Sequence, residues 1–194
     1  MGADGPRIYA VSGTQGAGKT TVAAALARRF ERGVHIEADT LQKMIVSGRE
    51  WPEAGVVTRE HPEVTGEAGV QLRLRLHNAC LLARSFFERG FTAVIDDILF
   101  GERLLELTDE LADLPLHFVM LVPDPATVRA HERERGSALW TEWEWLTESI
   151  LASKPRPGLW IDNRGQTPEQ TVDAIIARSA EARVPVAMAT GRVR

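Results

Sequence analysis

A single cysteine, Cys80, stands in 194 residues, so no internal disulfide can staple the chain and nothing points to a secreted, disulfide-built scaffold. Cys80 lies between Leu76 and Ala83 at helical spacing, which predicts burial as a small hydrophobe rather than reactivity. No apolar run approaches membrane-spanning length, and the N-terminus lacks a charged-then-apolar leader pattern. The expectation is a cytoplasmic protein without a membrane partner. Excess basic charge is missing too. The formal net charge is -4, which argues against non-specific nucleic-acid binding, because such binding draws most of its affinity from phosphate neutralisation. No histidine pairs with Cys or carboxylates at zinc-ligand spacing, and His35 and His117, inside β-leaning runs, read as core or sheet residues. There is no internal repeat, low-complexity segment or linker, and nothing in the sequence speaks to the oligomeric state.

What is present is an ordinary globular composition, 44% hydrophobic and 26% charged, in a chain long enough to bury a core as one domain over residues 1–194. Five β-leaning runs, at 7–12, 34–37, 92–97, 116–122 and 158–161, alternate with helical stretches. That alternation predicts an α/β fold, a parallel sheet wrapped on both faces by helices. An Ala-rich run over 19–32 predicts the first helix, with Gly33 as its C-cap. Asp124-Pro125 reads as a helix start, and Thr167-Pro168-Glu169-Gln170 as a capping box opening a last helix over 168–182. Between the second and third strands lies a long insertion, residues 44–89, ending in a long helix near 63–89. Insertions of this size tend to cap the carboxyl edge of the sheet, so it is expected to form the acceptor-substrate lid.

Residues 13–21 read Gly-Thr-Gln-Gly-Ala-Gly-Lys-Thr-Thr, a Walker A loop of the form G-x-x-x-x-G-K-T set between the first strand and the first helix. Gly13, Gly16, Ala17 and Gly18 supply a backbone that wraps phosphate with its N–H groups, Lys19 reaches the β and γ phosphates, and Thr20, followed by Thr21, ligates Mg²⁺. The helix N-terminus adds its partial positive charge. The expected ligand is a nucleoside triphosphate.

In an open parallel sheet, ligands bind beyond the carboxyl ends of the strands, so the residues after each strand form the candidate site. Asp39, after the second strand, is placed to take the proton of an attacking hydroxyl or to hold Mg²⁺ through water; it also suits the N-cap of a helix starting at Thr40. Asp96 ends the third strand at the Walker B position for Mg²⁺, and Asp97 follows on the other side of the strand, suited to the acceptor or its lid. Which aspartate serves the metal stays open at this point, and a purely structural Asp97 would need a partner such as an arginine. After the fourth strand, Arg129 and Arg133 share a helical face, Arg135 follows, and Gly136 offers a hinge, so these cations are expected to close over the triphosphate. Residues 129–150 are the expected LID region, in which Trp140, Trp143 and Trp145 read as packing residues.

The Walker loop, the carboxylate after strand two and the arginine helix after strand four together resemble the P-loop kinases that phosphorylate small molecules. Glu37-Ala38-Asp39-Thr40-Leu41 and Ile95-Asp96-Asp97-Ile98-Leu99-Phe100-Gly101 look like segments of chloramphenicol phosphotransferase and its relatives, and zeta-toxin-type kinases share the first pattern. The resemblance implies a three-layer P-loop kinase fold with a five-stranded parallel sheet of order 2-3-1-4-5, ATP and Mg²⁺ as cofactors, and a small-molecule hydroxyl acceptor. It implies Asp39 as the base, with Lys19, Arg133 and Arg135 stabilising the transferring phosphate and Arg129 near the adenine. Two other readings remain, a toxin-like kinase acting on a nucleotide sugar and an NTP-binding switch. Against the switch stand the absence of an Asn-Lys-x-Asp guanine motif and Asp97 in place of a water-activating Glu.

Overall fold

The computed structural model describes residues 5–52, 64–122 and 144–185. Its strands are β1 (Ile8–Gly13), β2 (Gly33–Glu37), β3 (Thr92–Asp96), β4 (Leu116–Leu121) and β5 (Leu159–Ile161). They form one all-parallel sheet of order β2-β3-β1-β4-β5. The described helices are α1 (Lys19–Ala27), α2 (Ala38–Lys43), α3 (Gly66–Glu88), α4 (Gly101–Glu110), α5 (Glu144–Ala152), α6 (Pro168–Ala177) and α7 (Ser179–Ala182).

The central strand shows why the fold has three layers. Every residue of β1 is buried, and its side chains alternate between two separate apolar clusters. Ile8 and Ala10 pack with Leu76, Ala79 and Ala83 of α3 and Leu104 and Leu107 of α4, whereas Tyr9 and Val11 pack with Val22 and Leu26 of α1 and Val172 and Ile175 of α6. A strand apolar on both faces can only sit between two helical layers.

Two helix expectations need correction. The first helix ends at Ala27 rather than near 32, and Gly33 opens β2 instead of capping it. A glycine is required there because a Cβ would lie 1.8 Å from the Ala27 carbonyl oxygen. The last helix breaks at Arg178 into α6 and α7, although its start matches the capping box: Thr167 Oγ1 accepts from the Gln170 N–H at 3.2 Å and Gln170 Oε1 accepts from the Thr167 N–H at 2.9 Å. The helix start at Asp124-Pro125 lies outside the described residues.

The long helix α3 does two jobs. Its later half carries Leu76, Ala79, Cys80 and Ala83 into the core, and burial pushes the Cys80 thiol up to about 12, chiefly by desolvation. Its earlier half faces the carboxyl edge of the sheet and is fastened to the segment before it by two buried glutamines. Gln42 Nε2 donates to Gln71 Oε1 at 3.0 Å and to the Glu50 carbonyl at 2.8 Å, while Gln71 Nε2 reaches the Gly48 carbonyl at 2.7 Å. These bonds hold residues 48–50 against α3, while the Gln42 Oε1 stays buried without a hydrogen-bond partner.

Candidate active site

The phosphate loop joins β1 to α1. Gly18 has φ 85, a left-handed conformation that side chains resist, and directly precedes α1. No side chain caps that helix, and its N-terminus turns the positive end of the helix dipole toward the loop. Lys19 Nζ arches back over the loop to the Thr14 carbonyl at 2.8 Å. From behind, Asn163 Nδ2 donates to the Ala17 carbonyl at 3.1 Å and so ties the exit of β5 to the loop.

Asp96 ends β3 beside this loop with only 4% exposure. Its Oδ2 accepts from Thr20 Oγ1 at 2.7 Å, and its Oδ1 lies 2.9 Å from His35 Nε2. Among the described residues no group of three His, Cys, Asp or Glu could hold a metal alone. The donor set of one hydroxyl and one carboxylate next to a phosphate loop fits Mg²⁺, a hard cation that keeps several waters and completes its shell with phosphate oxygens.

Asp97 turns away into a different environment. Its carboxylate accepts from Arg75 Nη2, from Arg103 Nη2 at 2.6 Å and from the Ile98 N–H at 2.7 Å. Full burial would raise its pKa, but the two guanidiniums and the amide overcome that and hold it below the ordinary carboxylate range. Arg75, itself 6% exposed, extends the chain: its Nη1 donates to Asp39 Oδ1 at 2.9 Å. An ion chain Arg103–Asp97–Arg75–Asp39 therefore joins α4, the β3 exit, α3 and α2.

Asp39 is not the N-cap of α2. The helix begins at Ala38 with Glu37 at the cap, and Asp39 sits in the first turn with its side chain 54% exposed. Thr40 Oγ1 bonds Glu37 Oε2 at 2.6 Å, which leaves Asp39 to Arg75.

One cavity of about 1010 Å³ connects these groups. Gln15, Gly16, Gly18, Lys19 and Thr20 line it, as do Asp39, Asp96 and Asp97. Among the other residues expected at the site, Gly13 and Ala17 are buried beneath the loop, and Thr21 is exposed on α1. Arg129, Arg133, Arg135, Trp140 and Trp143 lie outside the described residues. Trp145 lines the cavity beside Leu146, whose side chain belongs to the core.

Sequence reasoning missed three residues here. His35, assigned to the sheet, touches Asp96. The two sit on adjacent parallel strands, His35 opposite Val94 and so two positions before Asp96, on the same face. The signal for Arg75 was an arginine in the same helical stripe as Leu72, Leu76 and Ala79, where an unpaired charge is costly. Arg103 gave no comparable signal.

The comparisons with known proteins agree with this fold. Residues 8–145 match the family described as AAA domain, and the chain belongs to it. A sugar kinase from Janibacter sp. HTCC2649 shares the fold with TM-score 0.63 and 19% identity over 95% of this chain and 99% of its own. The Mycobacterium tuberculosis APS kinase CysC, solved with AMPPNP and APS, aligns at TM-score 0.61 and 15% identity over 91% and 98%. A gluconokinase from Sinorhizobium meliloti 1021 aligns at TM-score 0.57 and 18% identity over 91% and 94%. No curated protein matches the sequence. The fold is thus that of P-loop kinases, and no described helix is long and apolar enough to cross a membrane.

Proposed function

We propose that this protein is an ATP-dependent kinase that transfers the γ-phosphate to a hydroxyl of a small molecule. The observation that carries the reading is that one cavity brings Lys19 and the Thr20–Asp96 pair together with the half-exposed Asp39. The similarity to kinases of small molecules, and the two segments around Asp39 and Asp96 that look like chloramphenicol phosphotransferase, support it.

In this reading the loop amides and Lys19 bind and orient the triphosphate, and Thr20 and Asp96 hold Mg²⁺, directly or through water. Bound there, Mg²⁺ supplies charge neutralisation on the transferring phosphoryl group. His35 fixes the Asp96 carboxylate. Asp39 accepts the acceptor's hydroxyl proton as the new O–P bond forms and the bond to the β-phosphate oxygen breaks, releasing ADP. Arg75 holds Asp39 in place, and Asp97 anchors Arg75 rather than touching the acceptor. Arg129, Arg133 and Arg135 keep the roles implied by the resemblance, closing over the phosphates and the adenine. A single buried thiol and an ATP requirement suit the cytoplasm.

ADP release from Mg·ATP across hydroxyl-bearing compounds tests the reading, with Lys19→Ala as the blank. An acceptor-dependent rise that the blank lacks is the expected result. Tight ATP binding with no stimulation by antibiotics, nucleosides, sugars or nucleotide sugars would favour the NTP-binding switch.

A further inference from the structure

Behind the cavity wall α2 and α3 meet a second time. Asp39 and Gln42 stand one turn apart on α2, Arg75 and Gln71 one turn apart on α3, and the helices are joined by two rungs, Asp39–Arg75 and Gln42–Gln71. Only the first rung belongs to the ion chain. In the second, Gln71 is 4% exposed and uses every hydrogen-bonding position of its amide. Its Oε1 accepts from Gln42 Nε2 at 3.0 Å and from the Glu50 N–H at 2.8 Å, and its Nε2 donates to the Gly48 carbonyl at 2.7 Å and to Glu67 Oε1 at 2.9 Å.

A joint between two helices alone does not need such an amide. Gln42 Oε1 is left buried without a partner, a loss that two leucines would avoid. Leucines, however, cannot grip a backbone. Gln71 holds the carbonyl of residue 48 and the amide of residue 50, directly before Trp51. Residues 46–51 are all exposed and belong to no helix or strand, so these bonds, rather than burial of apolar surface, set their place. Trp51 lines the cavity together with Asp39 and Arg75. Its ring, 39% exposed, lies 5.9 Å from the same Arg75 guanidinium that bonds Asp39.

We propose that Gln71 is a positioning residue for the acceptor end of the cavity: by holding Gly48 and Glu50 it sets Trp51 beside Arg75 and Asp39, and so fixes the wall that the acceptor meets. The word acceptor rests on the kinase reading, whereas the hold on the segment does not. Hydrogen exchange on the full chain tests the hold. Gln71→Leu takes away the oxygen that the Glu50 N–H bonds, so that amide should exchange about tenfold or more faster while the amides of α1 keep their rate. Kinetics test the consequence, with chloramphenicol, uridine and glucose each offered with Mg·ATP and ADP release followed for whichever is used. Gln71→Leu should raise the KM for that alcohol about tenfold and leave kcat and the KM for Mg·ATP within about twofold, since Arg75 still holds Asp39 and the phosphate loop is untouched. Trp51→Ala should raise the alcohol KM to a similar degree, and joining it to Gln71→Leu should add less than about twofold, because both act through one ring. Where Gln71→Leu fails to fold, Gln71→Glu, which keeps the two accepted bonds and loses the two donated ones, takes its place in the kinetic cycle. The proposal is overturned if the two KM values rise together, if the effects of the two substitutions multiply, if Trp51→Ala leaves the alcohol KM unchanged, or if the Glu50 amide keeps its rate. Faster exchange at Glu50 in a chain that none of the three alcohols stimulates would uphold the hold and count against the kinase reading alone.

Discussion

Asp96 and Asp97 are adjacent in the chain, equally buried, and opposite in what surrounds them. Asp96 meets a hydroxyl and an imidazole at the phosphate loop, neither of which is a permanent cation. Asp97 meets two guanidiniums and an amide. Strand alternation sends consecutive side chains to opposite sides, and the neighbours on each side then decide the chemistry. A buried carboxylate without a permanent cation stays suited to receiving one, whereas a carboxylate between two arginines is a structural joint.

The comparison breaks most sharply under parallel substitutions. Asp96→Asn should cut Mg·ATP-dependent turnover by about a hundredfold or more while the melting temperature changes little, because it removes the carboxylate that would hold Mg²⁺ beside the transferring phosphoryl group. ADP release and thermal melts on one preparation check this. Asp97→Asn should act the other way round. It strips two arginines of their shared carboxylate, and breaking a buried pair costs about 3–5 kcal/mol, or a melting temperature lower by roughly 6–20 °C in a domain of this size. A rate loss at Asp97 matching that at Asp96, with stability intact, would erase the distinction.

Acid sharpens it further. The folded-state pKa of Asp97 is depressed, chiefly by Arg103 and Arg75 acting against burial, so its contribution to stability is present above the unfolded value of about 3.9 and is lost as pH falls through the folded value. Burial lowers the pKa of His117, whose ring stacks on Tyr9 at 5.0 Å, so stability also declines below about 6.5 as the unfolded chain binds that proton. Denaturant melts from neutral to acid pH should show both declines, and Asp97→Asn should remove only the lower one. A smaller effect is expected at His35→Phe. The loss of one hydrogen bond to Asp96 should cost about 0.5–1.5 kcal/mol and raise the Mg²⁺ concentration needed for half-maximal nucleotide binding. Least affected of all, Cys80 should resist alkylation in the native state at pH 8, as its buried, raised pKa implies, which a thiol titration with and without denaturant measures.

Local signals made much of this readable. The five β-leaning runs fall on the five strands within a residue or so, the capping box at Thr167 starts its helix, and the Walker loop occupies its expected turn. What escaped depends on pairs distant in sequence. Arg75 meets a carboxylate 36 residues earlier and another 22 later, and His35 meets Asp96 across 61 residues. No periodicity within one element encodes such pairs; they follow only from strand order and helix placement taken together. Gly33 was misread for a different, local reason: the helix ends early at Ala27, and the turn over 28–32 brings the Ala27 carbonyl against the place a side chain would take. Part of the insertion expected as a lid builds the core, because the apolar stripe of α3 continues well past the cavity.

The most direct test of the kinase site is Asp39→Asn, assayed for Mg·AMPPNP affinity by calorimetry and for phosphate transfer to an accepted alcohol by ADP release. The account predicts unchanged nucleotide affinity and a loss of transfer of about a hundredfold or more. Transfer at the wild-type rate would contradict it.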